Sequence, residues 1–459
     1  MKYFLFTILF ACIAVTYAQS SLYVGVEKPE AVKRTTPYKA KPAPTNAQAA
    51  EKARIAKMEK ELQEADAAFE KEEYHKTFAI YTKYLNNLDA AQCDNLSIMY
   101  YYGRGISKDL DKSFLWCKKA AEAGSSNAMN GLGICYYNGE GTTKNFNESF
   151  YWYKKAAEAG NSKGMNNLAI RYYNGEGTTK DYNQAFYWFK KAAEAGNDWG
   201  MYNLANRYYN GKGTTKDYNQ AFYWYKKAAE AGNSDGMNNL AICYYNGEGT
   251  SKNLEQAFFW FKKAAEAGND WGMNNLGVRY REGEGTTKDD SQAVYWFGKA
   301  AEAGNSNGMI NLGWMYANGR GVTQDYSQAF YWYKKAAEAG DRVAMDNLGL
   351  MYQKGRGTTQ DYEQAFYWYQ KSADKGYNNA MNNLGFIYER GLGVPQDNNK
   401  AFYWYKKAAE AGNGCGMNNL GIMYKKGEGT PKDLTEARYW YKKACDAGYE
   451  KGCDNLKNL

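Results

Sequence analysis

The chain has 459 residues, of which 44% are hydrophobic and 17% aromatic, so it can bury a large apolar interior, and large-scale disorder is excluded. Its 58 Lys and Arg residues are interleaved with 50 Asp and Glu residues along the whole length, so no positive stripe forms and nucleic-acid binding is not expected. The 6 prolines and 47 glycines are typical of many helices separated by tight turns.

Residues 1–18 have the features of a secretory signal peptide. Lys2 precedes an apolar run, and the small residue Ala18 stands just before the expected cleavage point. The run is shorter than the roughly 20 residues that span a bilayer, so no transmembrane segment is expected. A lipoprotein signal ending at Cys12 is an alternative, but the apolar stretch continues past Cys12. The sequence therefore predicts a secreted or periplasmic protein, cleaved after Ala18.

The segment that follows changes composition twice. Residues 19–46 are rich in Pro and Lys with little to bury, which predicts a flexible linker. Residues 47–88 predict a capping helical hairpin at the amino-terminal end of the repeats. Its first helix is indicated by apolar residues spaced by three and four positions: Ile55, Met58, Leu62, Ala65 and Phe69.

From residue 89 onward the sequence repeats itself every 36 residues. The register is kept by Trp116, Trp152, Trp188, Trp224, Trp260, Trp296, Trp332, Trp368, Trp404 and Trp440. A fixed period in this range indicates a stacked array whose units bury their apolar faces against one another. Residues 89–448 therefore form ten repeats, and residues 449–459 form a capping half-repeat that shields the carboxyl-terminal end.

Each repeat carries the pattern of two short amphipathic helices. In residues 161–196 a first helix is predicted from Met165, Leu168, Ala169 and Tyr172. A second helix with a bulkier stripe is predicted from Ala185, Trp188, Phe189, Ala192 and Ala193. Gly175 and Gly177 supply the positive φ that ends the first helix, and Gly196 ends the second. The repeated tryptophans are expected in the core.

The repeat resembles the Sel-1-like repeat, a relative of the tetratricopeptide repeat. The resemblance covers residues 89–459 and is carried in one repeat by Leu312, Gly313, Tyr316, Gly319, Gly321, Ala329, Trp332, Tyr333, Lys335, Ala336, Ala337 and Gly340. It implies an all-α, right-handed superhelical solenoid whose first helices line a concave surface that holds partner proteins or peptides. No shared reaction is implied, because a fold does not fix a function.

An enzymatic function is the alternative interpretation. Cysteine-rich secreted members of this family have been linked to β-lactam binding or hydrolysis, and Ser372 with Lys375 matches the S-x-x-K motif of penicillin-recognising enzymes. Neighbouring repeats carry A-A-E-A at these positions, however, and the companion motifs are missing. The only histidine of the chain is His75. We therefore predict a protein that is not an enzyme and needs neither a cofactor nor a metal.

Seven cysteines remain after signal cleavage. Cys445 and Cys453 flank a tight turn, a spacing that cysteine-rich secreted members of the family use for disulfides. Cys117 and Cys135 lie at similar distances from a turn and form a second candidate pair, although Cys93 competes for Cys117. The remaining two have no obvious partner: Cys243 and Cys415.

An asparagine precedes the core leucine in almost every repeat. This asparagine ladder consists of Asn95, Asn167, Asn203, Asn239, Asn275, Asn311, Asn347, Asn383, Asn419 and Asn455. Its amides can contact the backbone or hydroxyls of an extended ligand, or they can hydrogen-bond the adjacent repeat and fix the stacking. Both interpretations remain open at this stage.

Irregular aromatic residues suggest where a ligand binds. Trp199 and Trp271 stand four positions before a ladder asparagine, where most repeats have a polar residue. We predict a groove for a protein or extended peptide, with an envelope glycan as the alternative ligand and a purely structural envelope role as another. Its residues are Trp199, Trp271, Tyr173, Tyr209 and Tyr245, with Asn167, Asn203, Asn239, Asn275 and Asn311. The protein is expected to be a monomer.

Overall fold

A computed structural model describes residues 46–459, in which every regular element is an α-helix. The predicted signal peptide, residues 1–18, and all but the last residue of the predicted linker, residues 19–46, lie outside the described residues. The helices are α1 Asn46–Glu70, α2 Tyr74–Lys83, α3 Ala90–Tyr102, α4 Leu110–Glu122, α5 Ser126–Asn138, α6 Phe146–Glu158, α7 Ser162–Asn174, α8 Tyr182–Glu194, α9 Asp198–Asn210, α10 Tyr218–Glu230, α11 Ser234–Asn246, α12 Leu254–Glu266, α13 Asp270–Glu282, α14 Asp290–Glu302, α15 Ser306–Asn318, α16 Tyr326–Glu338, α17 Arg342–Lys354, α18 Tyr362–Asp374, α19 Asn378–Arg390, α20 Asn398–Glu410, α21 Gly414–Lys426, α22 Leu434–Asp446 and α23 Glu450–Lys457.

The chain divides into two units, residues 1–61 and residues 62–459. The described part of the first unit is the amino-terminal portion of α1. The second unit is an α-solenoid in which each helix packs on the next along the chain. From α3 to α22 the helices form ten pairs of 13-residue helices, which confirms the predicted fold class. We call the odd-numbered member of each pair the first helix and the even-numbered member the second helix.

Local sequence signals set the helix ends, as the third repeat (residues 161–196, α7 and α8) shows. The Asn161 side chain accepts a hydrogen bond from the Gly164 amide at 2.8 Å and caps α7. Gly175 ends α7 in the left-handed conformation, with φ of 77°. Two residues later Gly177 also has positive φ, and a Cβ there would collide with the Phe146 carbonyl of the preceding repeat. The chain therefore reverses sharply between the two helices.

The core runs through the stack as a series of clusters, each formed between a second helix and the neighbouring first helices. In the third repeat Ala185, Phe189 and Ala193 are buried together with Leu204 from the first helix of the next repeat. Trp188 is only half-buried, so the expectation that the repeated tryptophans are core is right only in part. Trp188 packs against its own cluster and against that of the preceding repeat, because it lies at the boundary between them. From α6 to α22 the buried aromatic residue of each second helix is the one after the tryptophan, whereas in α4 it is Trp116 itself.

Both ends of the repeat array carry extra helical structure. Near the amino-terminal end, the Tyr81 hydroxyl of α2 donates to Asp66 Oδ1 of α1 at 2.6 Å. At the other end, Asn455 of α23 donates to Asn418 Oδ1 of α21 at 2.8 Å, which continues the stacking pattern. No helix in residues 46–459 has the length and apolar character required to cross a membrane.

The two predicted cysteine pairs differ in the structure. Cys445 and Cys453 form a disulfide that ties α22 to α23. Cys117 and Cys135 are both buried free thiols, so the second predicted disulfide is not formed here. The Cys117 thiol donates to the Ala128 carbonyl at 3.3 Å, and the neighbouring Cys135 thiol together with burial raises the pKa of Cys117. Cys93 is a separate buried thiol.

Candidate partner-binding surface

The asparagine ladder links neighbouring first helices. Seven ladder side chains donate from Nδ2 to the side-chain oxygen of the residue 37 positions earlier, over 2.8 to 3.0 Å. These donors are Asn167, Asn203, Asn275, Asn311, Asn383, Asn419 and Asn455. Each of these bonds uses one of the two N–H groups of a half-buried amide. The contribution of these donors is therefore to stacking, and ligand contact through the ladder remains a prediction.

The ladder is interrupted at Asn239. The residue 37 positions earlier is Tyr202, which offers no amide or carboxylate oxygen, and its ring packs 6.2 Å from that of Tyr225. The Asn239 Oδ1 atom instead accepts from its neighbour Asn238 at 3.2 Å. A cavity of about 200 Å³ lies at this point between α9 and α11. It is lined by Asn206, Tyr209, Asn210, Tyr225, Asn239 and Ile242.

The two irregular tryptophans are strongly exposed. Trp199 is 48% exposed and Trp271 is 50% exposed, each at the second position of its first helix. The Trp199 ring meets the Tyr202 ring edge to face at 5.8 Å. The residue just before Trp199 is Asp198, whose carboxylate accepts from the Asn233 side chain of the next repeat at 3.2 Å. A tight contact between repeats therefore holds the backbone that presents this tryptophan.

The three predicted tyrosines lie at the opposite end of the first helices and are partly buried. Tyr209 donates to Glu248 of the next repeat at 3.0 Å, and Tyr245 donates to Glu284 at 3.3 Å. The Tyr173 hydroxyl instead accepts from the Lys212 ammonium of the next repeat at 3.1 Å. Their hydroxyls are therefore engaged between repeats. The structure places Tyr209 and Asn239 together at the cavity, but Trp199 lies about 15 Å away near the other end of the 13-residue α9, and Trp271 is on α13.

The sequence analysis missed a row of apolar side chains three positions after the ladder asparagines. Trp314, Leu350 and Phe386 are 37%, 39% and 36% exposed on α15, α17 and α19. Positions i, i+4 and i+7 share one helix face, so this row continues the face that carries the irregular tryptophans. Every repeat has an apolar residue here except the fourth, which has Asn206, and this periodicity could have revealed the row.

Besides Tyr102, the last residue of α3, five large apolar side chains are therefore exposed on the first helices. We call them the exposed first-helix surface: Trp199, Trp271, Trp314, Leu350 and Phe386. Exposed aromatic residues also occur on the second helices, but apart from Tyr182 they stand at one constant position, for example Tyr223 and Tyr295. Each of these packs edge to face on the following tryptophan, at 5.1 Å in both examples. The first-helix residues vary between repeats on a constant framework, which is the arrangement that gives a repeat protein its specificity.

Buried arginines stand near the carboxyl ends of three first helices. Arg171 lies over the Tyr137 ring, with the guanidinium carbon 4.0 Å from the ring centroid, and its Nη1 is 2.8 Å from Glu176 Oε2. Arg279 has the same relation to Glu284, also at 2.8 Å. A buried guanidinium needs such a partner, because an unpaired buried charge is strongly destabilising. Arginine stacked on a ring and paired with glutamate is thus a recurrent part of the framework.

The fourth repeat (residues 197–232) departs from this arrangement. Arg207 is only 9% exposed and lies over the Tyr173 ring at 4.0 Å, but Lys212 stands where the other two repeats have glutamate. The Lys212 ammonium donates to the Tyr173 hydroxyl at 3.1 Å. This hydrogen bond, with a further contribution from Arg207, lowers the pKa of Tyr173. In residues 46–459 no carboxylate forms an ion pair with Arg207, in contrast to Arg171 and Arg279. The Nε and Nη1 atoms of all three arginines are buried without a hydrogen-bond acceptor, so the ion pair is the difference between them.

The residues of the enzymatic alternative are not arranged as an accessible site. Ser372 is fully buried at the end of α18, and its hydroxyl donates to the Arg342 carbonyl at 2.6 Å. His75 is exposed on α2 in the capping region. Among residues 46–459 there is no cluster of three or more metal-ligating side chains. The S-x-x-K match therefore places its serine in a helix-packing contact.

Comparison with known proteins supports the resemblance seen in the sequence. The Sel1 repeat matches ten times, at residues 93–125, 126–161, 162–197, 200–233, 234–269, 272–305, 306–341, 342–377, 378–413 and 416–449. A comparison with curated proteins gave no significant match.

Two solved structures are similar over most of their length. The first is a protective antigen of uropathogenic Escherichia coli strains displaying an SLR fold, which is 35% identical with a TM-score of 0.65 over 82% of this chain and 80% of that chain. The second is a Sel1 repeat protein from Oxalobacter formigenes, which is 30% identical with a TM-score of 0.51 over 67% of this chain and 89% of that chain. With ten consecutive matches along the stack, the chain belongs to the Sel1 repeat family.

Proposed function

We propose that this protein is an extracytoplasmic scaffold that binds partner proteins or extended peptides along its exposed first-helix surface. The observation that carries the proposal is the set of five large apolar side chains held in solvent on the first helices. Large apolar side chains that are exposed together on one face of a protein commonly mark an interaction site. Tryptophan in particular supplies much of the binding energy at protein interfaces.

The proposed location rests on two observations. The sequence begins with the features of a signal peptide, and the relative from uropathogenic Escherichia coli is described as a protective antigen. Determination of the amino-terminal residue of the protein purified from its native source tests the location. We expect Gln19, and an intact Met1 would contradict secretion through this signal.

The binding proposal is tested with a double variant, Trp199→Ala with Trp271→Ala. Protein without the signal peptide is used to capture partners from an envelope or culture extract, and the affinity of each partner is then measured for both forms. We expect binding to weaken by about tenfold or more, because exposed aromatic anchors contribute more than about 1 kcal/mol each. Helicity measured by circular dichroism should be unchanged, since both side chains are largely in solvent.

A matched control is available on the second helices. Tyr223 and Tyr295 are 48% and 53% exposed and also lie two repeats apart, so Tyr223→Ala with Tyr295→Ala removes a similar exposed area. This control should keep the partner. Equal loss in both variants would contradict recognition by the first helices. Capture of a glycan instead of a protein would favour the envelope-glycan alternative, and light scattering of the purified protein tests the expected monomer.

A further inference from the structure

Arg207 has the environment of its counterparts except for one group. Arg171 and Arg279 each stack on a tyrosine ring and lie 2.8 Å from a glutamate oxygen. Arg207 stacks in the same way, but its glutamate is replaced by Lys212, so two cations share the Tyr173 ring. Such an arrangement attracts an anion, because the buried guanidinium is screened from water and, unlike Arg171 and Arg279, has no carboxylate beside it among the described residues.

The counterparts show which anion fits and how it reaches the site. The carboxylates of Glu176 and Glu284 occupy the position beside the guanidinium, so the geometry there suits a carboxylate. Those glutamate side chains are 27% and 32% exposed, so the position borders on solvent. A carboxylate from another molecule can therefore approach Arg207 from outside the stack. Lys212 is itself exposed and can donate to the same group.

We propose that Arg207 and Lys212 form a carboxylate-binding subsite that accepts an acidic side chain of the bound partner. The subsite rests on the proposed binding function and defines the chemistry of the partner. Arg207 lies eight residues after Trp199 on α9, which is about 12 Å along the helix. An extended peptide advances about 3.3 Å per residue. The acidic residue therefore stands roughly four positions from the residue that contacts Trp199.

The subsite is tested without any partner, on the whole protein labelled with ¹⁵N-arginine. N-acetylglutamate α-amide is titrated at constant ionic strength while the arginine Nε–Hε signals are followed. We expect a saturable shift of the Arg207 signal, with the signals of Arg171 and Arg279 unchanged. Arg207→Lys assigns the signal by its loss. An Arg207 signal that does not move, or that moves no more than the other two, overturns the proposal.

The variant Lys212→Glu restores the residue found at the counterparts. In this variant the Arg207 signal should move toward those of Arg171 and Arg279 and should no longer respond to the probe. A response that persists overturns the proposal, because the binding would then not depend on the missing carboxylate. Lys212→Glu alters one exposed side chain, so unaltered helicity and an unaltered Arg171 signal show that the variant is folded.

Two further probes distinguish the carboxylate of an acidic side chain from that of a chain terminus. N-acetylglutamine α-amide has no carboxylate and should give no shift, while N-acetylglycine presents a carboxylate like a chain terminus. A shift caused by N-acetylglycine alone overturns the assignment to an acidic side chain. The outcome is independent of the tryptophan experiment. The double tryptophan variant can lose the partner even if Arg207 does not bind the carboxylate probe. Equally, Arg207 can bind the probe even if the tryptophans are not needed for the partner.

Discussion

The third and fourth repeats share a framework and differ in what their first helices offer. Both have the same helix lengths, caps and buried aromatic residue on the second helix. The third repeat has Asn166 and Glu176, which accept hydrogen bonds or ion pairs across and within repeats. The fourth has Tyr202 and Lys212 at the same positions, and neither accepts in this way.

The comparison separates residues that hold the stack from residues that are available to a ligand. In the third repeat Asn166 accepts from the next repeat and Arg171 has a glutamate as its ion-pair partner. In the fourth repeat both contacts are lost, and there the structure has a cavity beside Asn239 and a buried Arg207 without a carboxylate partner among the described residues. The exposed Trp199 is on the same helix. We therefore expect the fourth repeat, at one end of the exposed first-helix surface, to take part in partner binding.

The largest stability effect is expected at Asp346, which takes the ladder-acceptor position in the eighth repeat and accepts from Asn383 at 2.9 Å. Burial raises the pKa of Asp346 to about 6 from 3.8, so ionisation opposes folding. The contribution of Asp346 to stability is therefore fully present below pH 4 and is lost as the pH rises through 6. Asp346→Asn should raise the free energy of unfolding by up to about 3 kcal/mol at pH 7 and little at pH 4.

Urea denaturation of Asp346→Asn and the unaltered protein at both pH values measures this effect. The reciprocal variant Asn274→Asp provides a control, because Asn274 has the same position in the sixth repeat and accepts from Asn311 at 2.9 Å. It should acquire the pH dependence that Asp346→Asn loses. If both variants are insensitive to pH, burial at this position does not oppose ionisation.

A smaller change in stability, here a decrease, is expected when the third repeat is made to resemble the fourth. Glu176→Lys removes the partner of Arg171 and should lower the free energy of unfolding by about 2 kcal/mol, below the range for a fully buried ion pair because Glu176 is partly exposed. It should also make the Arg171 signal respond to N-acetylglutamate α-amide. Urea denaturation and the arginine spectrum measure the two effects.

The control for this variant is Glu158→Lys. Glu158 pairs with Lys154 at 3.9 Å on an exposed helix face, with both side chains about half exposed. Such pairs contribute only a few tenths of a kcal/mol, so this charge reversal should have a small effect. A loss for Glu176→Lys no greater than for Glu158→Lys would show that the buried arginine does not depend on its glutamate.

The sequence predicted the framework better than the site, for a physical reason. Helix ends and repeat boundaries depend on local residues such as Asn161 and Gly175, whose effects act within a few positions. The environment of Arg207 depends on Tyr173, 34 positions earlier, and on Lys212, five positions later. Only superposed repeats show that lysine replaces glutamate beside a buried arginine. The partial burial of Trp188 likewise depends on where two repeats meet.

The smallest expected effect is the coupling free energy between ladder residues of neighbouring repeats, and it tests whether each ladder asparagine contributes to stacking. Asn203 donates to Asn166 at 3.0 Å, so a double-mutant cycle with both residues changed to alanine should give a coupling of about 1 kcal/mol in urea denaturation. The same cycle on Asn239 and Tyr202 should give a coupling near zero, because no ladder bond joins them.

Asn239→Ala should then affect binding more than stability, since its side chain lines the cavity of the fourth repeat. Asn203→Ala should have the opposite balance, because its amide is used in stacking. The affinity of a captured partner and the urea midpoint, measured on the same two variants, test this difference. Equal coupling in both cycles would make Asn239 an ordinary member of the ladder, and the ligand would then have to be held by the exposed aromatic residues and the arginine subsite alone.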